Sequence, residues 1–367
     1  MTTQGTTPQV ADAQATEAFA SRLFEASAAA LEVATIYIGD RLGLYRSLVQ
    51  DGPATASELA GRTASSERYI REWLEQQAAS GILTVDDASA PPATRRYALP
   101  PAYAGVLTDT KDVAHTMPLV RQVLGTVLNT AEVAQAFRTG AGIAWSDYGP
   151  DVVEAQIDLN RPHFEAYMAD WFAAVPDVHA RLQQPGARVA DIGAGGAWSS
   201  IAIARAYPHA VVDAFDLDER SVELARENIR AAGLEDRVTA HVRDVSDPSL
   251  AGRYDLVAAF ECIHDFSRPV EALRVMRNML ADGGTVIIMD EAVGESFEAP
   301  AGDVDRFFYG VSVLLCLPNS LVDSPSAATG TVMRPAKLAE YASEAGFART
   351  ESLPIEHPLW RFYRLHP

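Results

Sequence analysis

Apolar positions follow two different rhythms along this chain. As far as about residue 180 they recur at helical spacing. From residue 187 onward, short apolar runs alternate with amphipathic stretches. In the first part, "ATEAFASRLFEASAAALEVATIYIGDRLGLYRSL" is Ala-rich and free of proline, and residues 11–50 read as one long helix. "DGP" at 51–53 breaks it. "TASELAGRT" follows as a short helix with Thr55 or Ser57 as N-cap. "SSERYIREWLEQQAASG" reads as a third helix, capped by Ser65 or Ser66 and stopped by Gly81. "ILTVDD" and "RRYAL", on either side of a Pro/Ala loop, pair as a small hairpin. Residues 106–180 are helical in pattern, interrupted at 140–151 by "GAGIAWSDYGPD", and Pro162 opens a helix as a favourable first-turn residue.

The second part reads strand 187–192, helix 197–207, strand 210–216, helix 219–232, strand 237–242, strand 255–260, helix 268–280 and strand 284–290. That alternation predicts parallel βαβ units and an α/β fold. An inserted helical stretch at 303–316, a helix at 335–345 and two strand-like runs, "ARTESLPI" and "WRFYRL", complete the chain.

Composition adds limits. The chain has 367 residues, 48% hydrophobic and 22% charged, with a net charge of −19. A surface this acidic repels phosphate backbones, so nucleic acid is not an expected partner. No apolar run is long enough to span a bilayer, so no membrane role is expected, and the N-terminus lacks a signal-peptide pattern. Residues 1–10 read as a disordered tail. Cys262 and Cys316 are the only cysteines, which suits a reducing cytoplasm.

The most informative stretch is "VADIGAGGAWSS", residues 189–200. A glycine turn after the first strand of a parallel sheet lies where such sheets bind ligands. Gly193 and Gly195 fit a dinucleotide fingerprint, but Trp198 stands where its third glycine belongs. Asp191, just before the turn, would repel a pyrophosphate and attract a positively charged ligand.

An acid followed by G-x-G in the first βα turn resembles motif I of the class I methyltransferases, whose cofactor is S-adenosyl-L-methionine. "DIGAGGA" matches its common form, with Ala197 in place of the last glycine. The resemblance implies further cofactor residues at the following strand ends. Asp216 with Leu217 closes "VVDAFDLD", where an acid would take the ribose hydroxyls. Asp244 and Val245 in "HVRDVSD" would hold the adenine, and Glu261 follows the fourth strand. These signals come in order across residues 187–290. The implied fold is a Rossmann-like, mostly parallel, seven-stranded sheet.

"ECIHDFSRPVEALRVMRNMLADGGTVIIMDE" narrows the resemblance to small-molecule O-methyltransferases, where a His-Asp-aromatic triplet follows the fourth strand. His264, Asp265 and Phe266 match the triplet. Those enzymes carry an N-terminal winged-helix dimerisation domain, and three helices with a hairpin form that pattern here. The stretches "YGPDVVEAQIDLNRPHFEAYM" and "LCLPNSL…SPSAATGTVMRP" point to a bacterial group of this architecture. The implied organisation is a tail at 1–10, a winged-helix dimerisation domain at 11–105, a helical linker and substrate-pocket segment at 106–180, and a cofactor-binding domain at 181–367. A homodimer is expected through residues 11 to about 110, whose helices carry more apolar faces than one winged helix buries.

A phenol, with a pKa of about 10, needs a base at neutral pH, and imidazole can serve. His264 is therefore the expected general base. Its second nitrogen needs an acceptor. Asp290 and Glu291, at the end of the neighbouring strand, are expected to supply it, with Asp265 pointing elsewhere. No metal site is expected. Trp145, Tyr148, Asn160, His163, Tyr167 and Tyr309 are candidate walls for a small apolar or aromatic acceptor, together with Phe307, Phe308 and Leu315, about half of them packing only. Two other functions compete. A protein of this fold can use bound cofactor for chemistry other than methyl transfer. A winged helix can also bind DNA, but its third helix sets Arg68 and Arg71 against Glu67, Glu72 and Glu75.

Overall fold

The computed structural model describes residues 8–367, with side chains from residue 12. Residues 1–7 of the expected tail lie outside the described residues. Residues 8–10, expected in that tail, are the first turn of helix α1 (Pro8–Arg41). The single helix expected over 11–50 is two. Gly43 adopts a left-handed backbone (φ 68°), and α2 (Leu44–Asp51) starts after it. That conformation is cheap for glycine alone, so the chain turns there.

The chain divides into two compact units, with the boundary between Val120 and Arg121. In the first, α3 (Ala56–Arg62) opens with a reciprocal capping box between Thr55 and Glu58, worth about 1 kcal/mol. After α4 (Glu67–Ala79), strands β1 (Thr84–Val85) and β2 (Tyr97–Ala98) pair antiparallel as a wing, and α5 (Pro101–Thr108) follows. Leu44, Leu48, Leu59, Ile70, Trp73, Leu74 and Tyr97 form the core of this unit. Helix α1 exposes Phe19, Leu23, Phe24 and Leu31.

The boundary falls within α6 (Met117–Leu128). The second unit continues with α7 (Thr130–Thr139), a 3₁₀ turn at Trp145–Tyr148, α8 (Pro150–Leu159), α9 (Arg161–Ala173) and α10 (Pro176–Leu182). The βα alternation then runs β3 (Arg188–Ile192), α11 (Trp198–Ala206), β4 (Val211–Asp216), α12 (Glu219–Ala232), β5 (Val238–Val242), β6 (Tyr254–Phe260), α13 (Pro269–Asn278) and β7 (Leu280–Glu291). After α14 (Asp303–Val311), a π-helical turn at Ser312–Cys316 leads into α15 (Leu317–Ser320), α16 (Pro335–Glu344), β8 (Arg349–Ser352) and β9 (Trp360–His366).

The seven strands lie in the order β5-β4-β3-β6-β7-β9-β8. The first five are parallel, and β9 runs antiparallel between β7 and β8. Successive residues of a strand face opposite sides of a sheet. Along β7, Ile287 and Met289 join one apolar layer with α9–α12, and Val286 and Ile288 join the other with α13 and α16. Strand order reverses direction at β3, so the crevice beyond the ends of β3 and β6 is where such a sheet binds ligands. No helix among the described residues is long and apolar enough to cross a membrane.

Candidate active site

The turn after β3 is built for close approach. Gly193 is left-handed (φ 64°), and a Cβ there would lie 2.7 Å from the Cys262 sulfur. Gly195 is also left-handed (φ 50°), and a Cβ on Gly196 would meet Ile157 at 2.2 Å. Ala197 takes φ 61° despite its methyl group. Trp198, bulky for a glycine-rich turn, packs under the Arg161 guanidinium, 3.7 Å from the ring centroid.

Asp191 is fully buried. Its Oδ2 accepts from the Ser199 and Ser200 hydroxyls at 2.5 and 2.6 Å, fixing the start of α11. Its Oδ1 is buried without a hydrogen-bond donor, and burial pushes its pKa up to about 6. Asp216, at the end of β4, accepts from the Gly195 N–H at 2.8 Å and the Asp218 N–H at 2.9 Å, and burial raises its pKa. Leu217 beside it is exposed. Asp244 accepts from Ser246 and from the Arg268 guanidinium at 2.9 Å, and Val245 is buried. A cation therefore suits this crevice better than a phosphate. Two carboxylates face it, one with an oxygen lacking a donor, and the residues fit a cofactor carrying a sulfonium, an ammonium and ribose hydroxyls.

Beyond β6, a short turn at Ile263–Asp265 carries the histidine. His264 is buried, with Nδ1 2.9 Å from Asp290 Oδ1 and 3.2 Å from Glu291 Oε2. Burial alone would lower its pKa. The charges of Glu291, Asp290 and Asp265 outweigh burial and hold it well above the ordinary histidine value. Burial and the Asp290 charge push Glu291 well up, whereas the imidazolium keeps Asp290 below the usual carboxylate range despite burial. Asp290 is thus the hydrogen-bonded counter-charge of His264, with the Glu291 carboxyl beside them.

Asp265 does not point elsewhere: its Oδ1 lies 3.6 Å from His264 Nε2. A ring nitrogen of His264, a carboxylate oxygen of Asp265 and the Cys316 sulfur all lie within 4.8 Å of one another. The Cys316 thiol contacts His264 and Thr331, and burial pushes its pKa up to about 12. Glu261, with φ 50°, is also buried. One of its oxygens accepts from Asn160 Nδ2 and the other from Trp360 Nε1, and burial lifts its pKa to about 7. Both oxygens are taken by protein donors.

The expected acceptor walls scatter. Asn160 bonds Glu261. Tyr148 is buried and donates to the Leu314 carbonyl of the π-turn at 2.9 Å, with Trp145 packed nearby in the same apolar cluster. His163 and Tyr167 belong to an aromatic group with Trp171, His357 and Trp360, and the last two stack at 4.1 Å. The Tyr309 hydroxyl accepts from Arg334. Sequence reasoning gave no role to Trp360 or Cys316. Trp360 lay inside a stretch read only as a strand, and Cys316 in a stretch quoted without a function.

Residues 183–311 match the family described as "Methyltransferase domain", and residues 28–109 the "Rv2258c-like winged HTH domain". A ubiquinone biosynthesis O-methyltransferase of Xanthomonas campestris pv. campestris (strain B100) is 36% identical over 115 residues, 30% of this chain and 46% of that protein. A ribosomal protein uL3 glutamine methyltransferase of Bradyrhizobium diazoefficiens is 30% identical over 110 residues, 29% of this chain and 34% of that one. The chain thus spans less than half the length of these curated relatives. Among solved structures, the mitomycin 7-O-methyltransferase MmcR superposes with a TM-score of 0.68 at 19% identity, covering 98% of this chain and 100% of that one. Human N-acetylserotonin methyltransferase superposes with a TM-score of 0.68 at 15% identity, covering 95% and 97%. These superpositions show the shared fold over both units.

Proposed function

We propose that this chain, in which a methyltransferase domain follows a winged helix, transfers a methyl group from S-adenosyl-L-methionine to a hydroxyl of a small apolar or aromatic metabolite. The observation that carries the reading is the contact between the two halves of the site. Gly193 of the cofactor turn and Cys262 of the histidine loop are so close that a methyl group on the former would clash. The glycine turn and the loop that carries His264 therefore adjoin.

The bound cofactor supplies an electrophilic methyl group on a sulfonium. Asp216 would accept from its ribose hydroxyls, with Leu217, Asp244 and Val245 around the adenine and Asp191 toward the cationic end. Glu261 supports that wall through Asn160 and Trp360. His264, oriented by Asp290, takes the acceptor's proton, a contribution of about 10² to 10⁴ in rate. Glu291 lies beside the pair, 3.2 Å from Nδ1. Positioning supplies much of the remainder, because the leaving group is already good.

Calorimetry with S-adenosylmethionine and with NAD tests the cofactor assignment. Heat with the first and none with the second is expected, and the reverse ends the reading. Mass spectrometry of small molecules retained by the purified protein would identify the acceptor, or reveal a product of some chemistry other than methyl transfer. The winged helix we assign to dimerisation, not to DNA. The exposed Phe19, Leu23, Phe24 and Leu31 of α1 suit a second copy of the chain, and the charge of −19 disfavours a polyanion. We place the dimer in the cytoplasm, in secondary metabolism. A monomer mass by light scattering at micromolar concentration would refute the assembly.

A further inference from the structure

The methyl-transfer reading leaves the Cys316 sulfur without a task, and that sulfur stands beside two other donors. A ring nitrogen of His264, a carboxylate oxygen of Asp265 and the thiol lie within 4.8 Å of one another. The π-turn at Ser312–Cys316 carries the thiol there, and the Tyr148 hydroxyl fixes that turn through the Leu314 carbonyl. Such turns are frequent at functional sites.

Three features set this trio apart from a plain hydrogen-bonded cluster. Asp265 accepts from the Cys316 thiol and the Asn319 side chain, yet its Oδ1 is buried with no donor. That oxygen lies 3.6 Å from His264 Nε2. The gap is too long for a hydrogen bond. It matches the edge between two ligand atoms of a tetrahedral zinc ion, about 3.3–3.8 Å for bonds of about 2.0–2.3 Å. Across the ring, Nδ1 meets Asp290 Oδ1 at 2.9 Å. A metal-bound histidine almost always gives its other N–H to such a partner, which fixes the tautomer and raises its basicity. Beside the sulfur, Thr331 Oγ1 is buried without a hydrogen-bond partner, placed to donate to a thiolate.

We propose that His264 Nε2, Asp265 Oδ1 and Cys316 Sγ form a binding site for a divalent cation of the zinc class. A thiolate and an imidazole select zinc, cadmium or cobalt over magnesium and calcium, which want oxygen ligands. The ion takes the place of the thiol proton, which leaves to solvent, and accepts the Nε2 lone pair of the neutral imidazole. Asp290 keeps the proton on Nδ1, and water completes the tetrahedron. Asp265, with its side chain 21% exposed, is the member of the trio in contact with solvent. The site itself stands apart from the methyl-transfer reading. Its consequence rests on that reading: an ion on Nε2 holds the lone pair assigned to the base, so the metal turns the transfer off.

Cobalt(II) serves as the probe, added to full-length protein washed with chelator. One equivalent should give the intense visible bands of a four-coordinate ion together with an ultraviolet thiolate-to-metal band, and zinc should displace it. Cys316→Ser should abolish the thiolate band, whereas Cys262→Ser should keep it. Asp290→Asn should weaken binding by about 10- to 100-fold, the usual effect of losing the carboxylate behind a ligating histidine. Asp265→Asn should weaken it at least as much while the thiolate band survives at saturation. Circular dichroism checks that each variant is folded, and the Asp265→Asn affinity decides the matter if Cys316→Ser is not. Absence of the thiolate band from wild-type protein overturns the proposal. So does a band that persists in Cys316→Ser, or an affinity unchanged in Asp265→Asn. Calorimetry with S-adenosylmethionine on the same samples separates the two ideas: absent binding refutes the methyl-transfer reading, while the cobalt spectra still decide the metal site.

Discussion

The hydroxyl of Tyr148 donates to the carbonyl oxygen of Leu314, 166 positions further along the chain. A π-helical turn frees carbonyls that an α-helix would satisfy, and Tyr148 restores one partner. Tyr148→Phe should leave that carbonyl unpaired and destabilise the second unit by about 1–2 kcal/mol. Urea denaturation reads this directly. A loss indistinguishable from zero would mean the turn holds its shape unaided.

Gly193→Ala should be felt on both sides of the site. The new methyl would stand 2.7 Å from Cys262 Sγ and 2.8 Å from its Cβ, on a left-handed backbone. A cost of about 1–3 kcal/mol and a marked loss of cofactor affinity are expected. Adding Cys262→Ala should rescue only part, because the Cβ remains. Full rescue in the double-mutant cycle would show that sulfur alone sets the contact.

Asp216→Asn should weaken S-adenosylmethionine binding by roughly 10²-fold, because charged acceptors bind hydroxyls more strongly than neutral ones. The Asn amide also faces the Gly195 and Asp218 N–H groups with a donor where one carboxylate oxygen accepted. Calorimetry showing unchanged affinity would remove Asp216 from the cofactor site.

His264 binds its proton more tightly in the folded state than in the unfolded chain. Its contribution to stability is complete below the ordinary value of 6.5 and is lost as pH rises through the raised value. Activity should run the other way. The base form appears as pH rises through the raised value, so the rate with a hydroxyl acceptor should climb over that interval. His264→Gln should flatten both limbs, lower turnover by about 10² to 10⁴ and destabilise the fold by about 3 kcal/mol, because Asp290 is left buried without its partner. A pH–rate limb unchanged in the variant would exclude His264 as its source.

Glu261 offers a second pH window. Its folded pKa of about 7 exceeds the ordinary glutamate value of 4.5, so stability is fully present below 4.5 and declines as pH rises through 7. Glu261→Gln should abolish that decline between pH 5 and 8 in thermal melts. A variant that still loses stability over the same interval would place the titration elsewhere.

The sequence exposed the parallel half of the sheet because its signals are local. A period of two gives way to 3.6 at each strand end, and the glycine turn needs no distant partner. Gly43 was missed because one glycine within a helical pattern is usually tolerated at about 1 kcal/mol. The place of β9 between β7 and β8 could not be read, since ladder pairing is set by packing across the sheet. The same holds for Glu261, whose partners Asn160 and Trp360 lie 101 and 99 positions away. Asp265 was misjudged as a neighbour in sequence. The turn at Ile263–Asp265 curls its carboxylate back toward the ring.

The insertion of β9 between β7 and β8 also sets a timetable for biosynthesis. A ribosome releases the chain in sequence order, so all five parallel strands emerge before β9 exists. Until residues 360–366 leave the exit tunnel, the outer edge of β7 lacks its antiparallel partner and Glu261 lacks the indole of Trp360. A nascent chain stalled short of that point would display an open sheet edge, a natural site for a chaperone or for misassembly. The candidate site is therefore complete only after β9 has emerged.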